Sequence, residues 1–205
     1  MKISMVILSG FAAMVLFAQA QAAEIAPEGA NAPAAAEERQ IVWYEIDPGV
    51  RKYLILLAAN AMELSAELPD EGISPTAEQQ IDMMEQVIRR TPPDSLVGEY
   101  LQFVTEANEL NFRIIAALRE EKPADHNGIM AVTQRFDNEI DALCVKYPQA
   151  GRYFNRRAQM QITLMIARET DVQRVMMQSV MAGKTRRESM RTVVEHLRYE
   201  AERQF

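Results

Sequence analysis

A single cysteine, Cys144, is all that this chain of 205 residues contains. One thiol cannot close an internal disulfide, and no second cysteine exists for a Cys-x-x-Cys metal or redox site. Packing alone must therefore hold the fold. Cys144 shares a helical face with Ile140, Leu143 and Tyr147 and is expected to be a small buried apolar residue. Histidine is almost as scarce. His126 and His196 are preceded, three positions earlier, by Pro123 and Val193 rather than by glutamate, which excludes the di-iron carboxylate signature of helical bundles. The eight glycines form no phosphate-cradling loop, and no strained elbow pairs a serine with either histidine. Asp137–Asp141 opens like a calcium loop, but Ala142 stands where that loop requires glycine, so the run is expected to be a solvated helix face. No metal and no cofactor are expected.

Charge is missing from Ile3 to Ala18, a stretch of 16 residues behind the basic start Met1-Lys2. Ala18-Gln19-Ala20 and Ala20-Gln21-Ala22 then offer small-x-small cleavage sites. This order identifies residues 1–22 as a secretory signal peptide and places the protein in a periplasm or outside the cell. A helix over 3–18 would span about 24 Å, short of a ~30 Å hydrocarbon core. Later apolar runs are shorter or interrupted, so no stable membrane span is expected after cleavage. Residues 23–40 are rich in Ala, Glu and Pro, with Ile25 as the sole large apolar side chain. Such a segment cannot bury enough surface to offset its ordering entropy and is expected to be a disordered leader.

The remainder of the chain, residues 41–205, reads as one all-α domain. Ile41–Ile46 holds the only tryptophan, Trp43, and is expected to lie extended across a bundle. Asp47-Pro48 opens the first helix, with Val50, Leu54, Leu57, Ala61, Leu64 and Leu68 inward. It is apolar all round from Tyr53 to Ala59, which argues for a helix enclosed by neighbours. Pro69–Gly72 ends it, and Ser74-Pro75 starts a second helix with Ala77, Ile81, Met84 and Ile88 inward. A third helix is expected from a Thr91 cap, with Leu96, Tyr100, Phe103, Ala107, Leu110, Ile114 and Ala117 at alternating gaps of four and three. Asn108 lies off that stripe and should tolerate alanine. A fourth helix carries Ile129, Val132, Phe136, Ile140, Leu143 and Tyr147 and stops at Pro148–Gly151. The fifth runs from about Arg152 to Ala182 with Phe154, Ala158, Ile162, Met165, Val172, Met176 and Val180 inward; Glu169 on that stripe marks a kink or break. Gly183 caps it. Thr185–Glu188 is a capping box for the last helix, whose inner residues are Met190, Val194, Leu197 and Ala201. The expected architecture is an antiparallel bundle of about six helices.

Charge is unevenly shared. Ala23–Cys144 holds 9 basic and 23 acidic residues, whereas Val145–Phe205 holds 12 basic and 6 acidic residues. Arginine dominates the basic part. Arg152 and Arg156 at one helix start, and Arg187, Arg191 and Arg198 along the last helix, are expected to contact a partner together with Trp43. Guanidinium groups grip carboxylates or phosphates in two-point fashion. The competing expectation is that the basic half neutralises the acidic half within the bundle. The methionines of the last helices are expected to fill core, or else to form an adaptable binding surface.

Ser74–Gln80 resembles, at Thr76 and Gln79, the Leu-Thr-x-x-Gln helix starts of small periplasmic helical chaperones and metal-stress proteins. Pro75 replaces the leucine, the match covers seven residues and no second copy exists, so it assigns no family. The expected function is a non-enzymatic, exported helical interaction module with a protein partner. The alternatives are a periplasmic helical chaperone or metal-stress protein, and an enzyme with a carboxylate site that bears no sequence signature. Overall acidity and export argue against nucleic acid as partner.

Overall fold

The computed structural model describes residues 41–68 and 75–204, without the side chains of residues 156, 157 and 160. The expected signal peptide, leader and Pro69–Gly72 turn, and Ser74, lie outside the described residues. Within them the chain is helical throughout and contains no strand. A 3-10 turn at Trp43–Glu45 precedes nine α-helices: α1 (Pro48–Glu67), α2 (Ala77–Arg90), α3 (Gly98–Glu121), α4 (His126–Gln134), α5 (Asp137–Lys146), α6 (Pro148–Phe154), α7 (Arg156–Glu169), α8 (Val172–Met181) and α9 (Arg186–Glu202).

The helix count exceeds the expected six because two long periodic stretches are broken. The first break divides α4 from α5 at Arg135-Phe136. There the Thr133 hydroxyl donates to the Met130 carbonyl and the Arg135 Nε to that of Val132, so side chains compete for carbonyls of the helical ladder. The second stretch is cut twice. Asn155 caps both helices that meet at it: its amide donates to the carbonyls of Gly151 (2.9 Å) and Arg152 (3.2 Å) at the end of α6. Its side-chain oxygen accepts from the Ala158 N–H (3.0 Å) in α7. The expected break near Glu169 is present. Asp171 turns into the left-handed region (φ 56°), and the Thr170 carbonyl is taken by His196 Nε2 at 2.6 Å.

Two further boundaries differ from expectation. Thr91 does not open the third helix. Its hydroxyl donates back to the Val87 carbonyl (2.7 Å) and accepts from Asn60, closing α2 from within the core. Pro92 disfavours helical backbone at the residue before it, and α3 starts only at Gly98. The 41–46 segment turns rather than extends, because Ile41, Trp43 and Ile46 all reach the interior while Val42 and Tyr44 remain exposed.

The core is centred on α1, which is buried on nearly all sides and packs most extensively on α9. Lys52 meets Glu202, and further along α1 both Asn60 and Glu63 meet Arg198, so the two helices run antiparallel. α2 covers another side of α1 and α3 packs on α2, its Phe103 and Val104 lining a small cavity with Tyr53 and Leu57 of α1; α5 and α6 pack on α3, and α8 sits at the periphery against α9 and, more lightly, α7. The α3 stripe is buried at Phe103, Ala107, Leu110 and Ile114, with a second column at Val104, Asn111, Ile115 and Leu118. No described helix is long and apolar enough to cross a membrane.

Candidate interaction surface

Of the six expected contact residues, three are engaged within the molecule. Trp43 is 4% exposed and belongs to the core, because its segment turns it inward beside Ile41 and Ile46. Arg152 is half-buried and lies 5.5 Å over the Tyr153 ring; its Nη2 is 4.0 Å from Glu45, buried and without a hydrogen-bond partner among the described residues. Arg198 keeps an exposed flank, but its guanidinium pairs with Glu63 at 2.8 Å and donates to the buried Asn60 at 3.3 Å. Together with Lys146, which binds Glu106 at 2.7 Å, these ties show part of the basic half neutralising the acidic half. The side chain of Arg156 lies outside the described residues.

Arg187 and Arg191 differ. Both are exposed near the start of α9, and neither has a carboxylate within ion-pair distance among the described residues. Thr185 places them there: its hydroxyl accepts from the Glu188 N–H (3.2 Å), and Glu188 accepts from the Thr185 N–H (2.8 Å). The Thr185 backbone N–H and hydroxyl, followed by the charges of Lys184 and Arg191, hold the Glu188 carboxyl below its usual range. Glu188 thus remains ionised and committed to the cap.

The neighbouring end of α8 adds residues that spacing alone did not reveal. Met177, Val180 and Met181 are 62%, 58% and 80% exposed, at the three-and-four spacing of one helix side. Val180 was expected inward, but two successive gaps of four after Val172 carry it about 80° off the inner face, which runs instead through Val172, Val175, Met176 and Ser179. Met165 and Met176 do pack against the core, whereas Met177 and Met181 fill no core at all. A Schellman motif joins the two helices: the Gly183 N–H donates to the Val180 carbonyl (2.9 Å) and the Lys184 N–H to that of Ser179 (3.2 Å). Gly183 supplies the left-handed residue at φ 76°. Only residues 182–185 separate the helices, so the methionines and the arginines share one end of the hairpin.

Other chemistry is sparse. Among the described residues no group of three or more His, Cys, Asp or Glu is placed to hold a metal ion. His126 contacts Gln80, and the partly buried Cys144 has its thiol pKa raised by burial and by Asp141, which keeps it protonated and unreactive. A cavity of about 20 Å³, room for about one water molecule, lies between Tyr53, Phe103, Asn108, Asn111 and Phe154 and carries no carboxylate. The Thr76–Gln79 likeness is a reciprocal capping box, at 2.9 and 3.2 Å, which is local helix-start chemistry. No family model, no curated protein and no solved structure matches the chain.

Proposed function

We propose that the protein is an exported, non-enzymatic helical interaction module that meets an anionic partner through the open end of the α8–α9 hairpin. The observation that carries this reading is the exposure of Arg187 and Arg191, without ion-pair partners among the described residues, beside Met177, Val180 and Met181. Arginines that stabilise a bundle find carboxylates, as Arg198, Arg119 and Arg113 do here. Two that do not, next to apolar side chains left in water, suit a surface that is covered in use.

Export rests on residues 1–22. Mass spectrometry of the protein recovered from the exporting cell is expected to find a new N-terminus between Gln21 and Glu24. Recovery of intact Met1 on membrane-bound protein would establish an uncleaved anchor instead.

The interaction reading is tested with R187Q/R191Q. The melting temperature should stay within a few degrees of wild type, since exposed charges contribute about 0–1 kcal/mol each. Cross-linked capture of partners in the exporting cell should fall, and capture by wild type should weaken with salt, because such attraction is screened over ~8 Å at physiological ionic strength. A folded double variant that captures the same partners equally well would remove this surface from consideration.

A further inference from the structure

Resting on that reading, we infer that the anionic partner is a phospholipid surface: the α8–α9 hairpin end docks on anionic headgroups through Lys184, Arg187 and Arg191 and seats Met177, Val180 and Met181 at the acyl boundary. Shape favours this occupant. Side chains lining a groove lose most of their exposure to its walls, whereas these three keep 58–80% of theirs. A side chain added at Gly183 would meet no atom within 4 Å. The apolar group is therefore a projection and offers no concavity to a peptide. Its cover must supply the concavity, and a headgroup region yields to any projecting shape. Methionine suits the boundary because its unbranched thioether adapts to an irregular environment.

Charge favours the same occupant. Between Ala182 and Thr192 the exposed cations Lys184, Arg187 and Arg191 stand against the single carboxylate Glu188, which the Thr185 cap already engages. The imbalance extends over the molecule, since the acidic residues are concentrated before Val145 and the basic ones after it. An anionic surface attracts the hairpin end and repels the acidic body, so the molecule meets it in one orientation. Apolar tip and cationic flank together form the pair of features that peripheral membrane contact needs, neither being sufficient alone.

Flotation of the exported protein with vesicles of equal phosphatidylglycerol and phosphatidylcholine, compared with phosphatidylcholine alone, tests the inference. Wild type should bind the anionic vesicles, lose them progressively with salt and leave the neutral ones unbound. Each removed cation lowers partitioning about five-fold, so R187Q/R191Q should bind roughly twenty-five-fold more weakly. M177Q/M181Q should bind several-fold more weakly while keeping the salt dependence of wild type. All three proteins share one N-terminus, so their differences report the hairpin, and unchanged melting temperatures confirm that each is folded. Absence of binding to anionic vesicles, equal binding to neutral ones, or equal binding of the variants would overturn the lipid assignment. If that happens while cross-linked capture of a protein still depends on Arg187 and Arg191, the partner is a protein and the interaction reading stands. Failure of both measurements removes the reading as well.

Discussion

Phe103→Ala is expected to cost ~3–5 kcal/mol and to bring a domain of ordinary stability close to unfolding, measured as a shift in the urea midpoint without a change in slope. Phe103 has no exposed surface. Its ring stacks on Phe154 at 5.2 Å and meets the Tyr147 ring edge-on at 6.2 Å, so one side chain joins α3 to α6 and to the residue between α5 and α6. The short helices α5 and α6 have little independent stability and depend on such contacts. Truncation would open a cavity at the meeting point of three elements, beside a space that already exists next to Asn108. Gln102→Ala, one position away and exposed, should be nearly silent. Equal losses at positions 102 and 103 would mean that α3 presents another face to the core.

Asn108 departs from the logic of the stripe. The periodicity of α3 leaves it outside, and alanine there is the expected tolerated change. In the fold, burial raises the pKa of the Tyr53 hydroxyl well above its ordinary value, Asn108 is the polar side chain that counters the rise, and both line the same small cavity. Asn108→Ala removes the polar neighbour of a buried hydroxyl and should cost about 1 kcal/mol, visible in the same urea titration. Hydrophobic spacing cannot register a polar residue whose importance lies in a neighbour 55 positions away.

The parts of the fold that were legible share one property: each is decided within a single helix. The all-round apolar run of α1, the stripe of α3 and the capping box at Thr185 follow from spacing and cap chemistry, and the structure has them where the residues point, whereas α2 starts behind a Thr76 cap rather than at Ser74-Pro75. The additional breaks were hidden because period alone does not register side chains that take carbonyls from the ladder. Asn155 is the clearest case, since it reads as an ordinary polar position until it caps helices on both sides. The proposed contact surface was half legible. Arg187 and Arg191 stood out by charge, but Arg198 is indistinguishable from them by spacing and is separated only by Glu63 on another helix. Met177 and Met181 were hidden because a stripe drawn through Val172, Met176 and Val180 drifts off the true inner face, which runs through Val175 and Ser179.

Gly151 and Gly183 both read as helix stops, and substitution should separate them. Gly183 is a turn glycine in the left-handed region with open space around it. Alanine there should cost about 1–2 kcal/mol through backbone strain, and asparagine, which tolerates that region, should recover most of the loss. Gly151 has no left-handed backbone; it sits inside α6. A Cβ at Gly151 would lie 2.5 Å from the Cys144 carbonyl oxygen, 2.8 Å from its Cα and 3.0 Å from its carbonyl carbon. All three are backbone atoms of α5, so no side chain can rotate away. Gly151→Ala must push α6 off α5 and should cost about 1–3 kcal/mol, with Gly151→Asn worse rather than better, beyond ~3 kcal/mol. The order of alanine and asparagine is the readout, taken from thermal or urea unfolding of the four variants. Recovery by asparagine at both positions would make Gly151 a turn residue and remove the close α5–α6 contact on which Tyr147, Phe154 and Phe103 converge. Recovery at Gly183 alone places the α5–α6 crossing where the fold has it, held open by the absence of a single carbon.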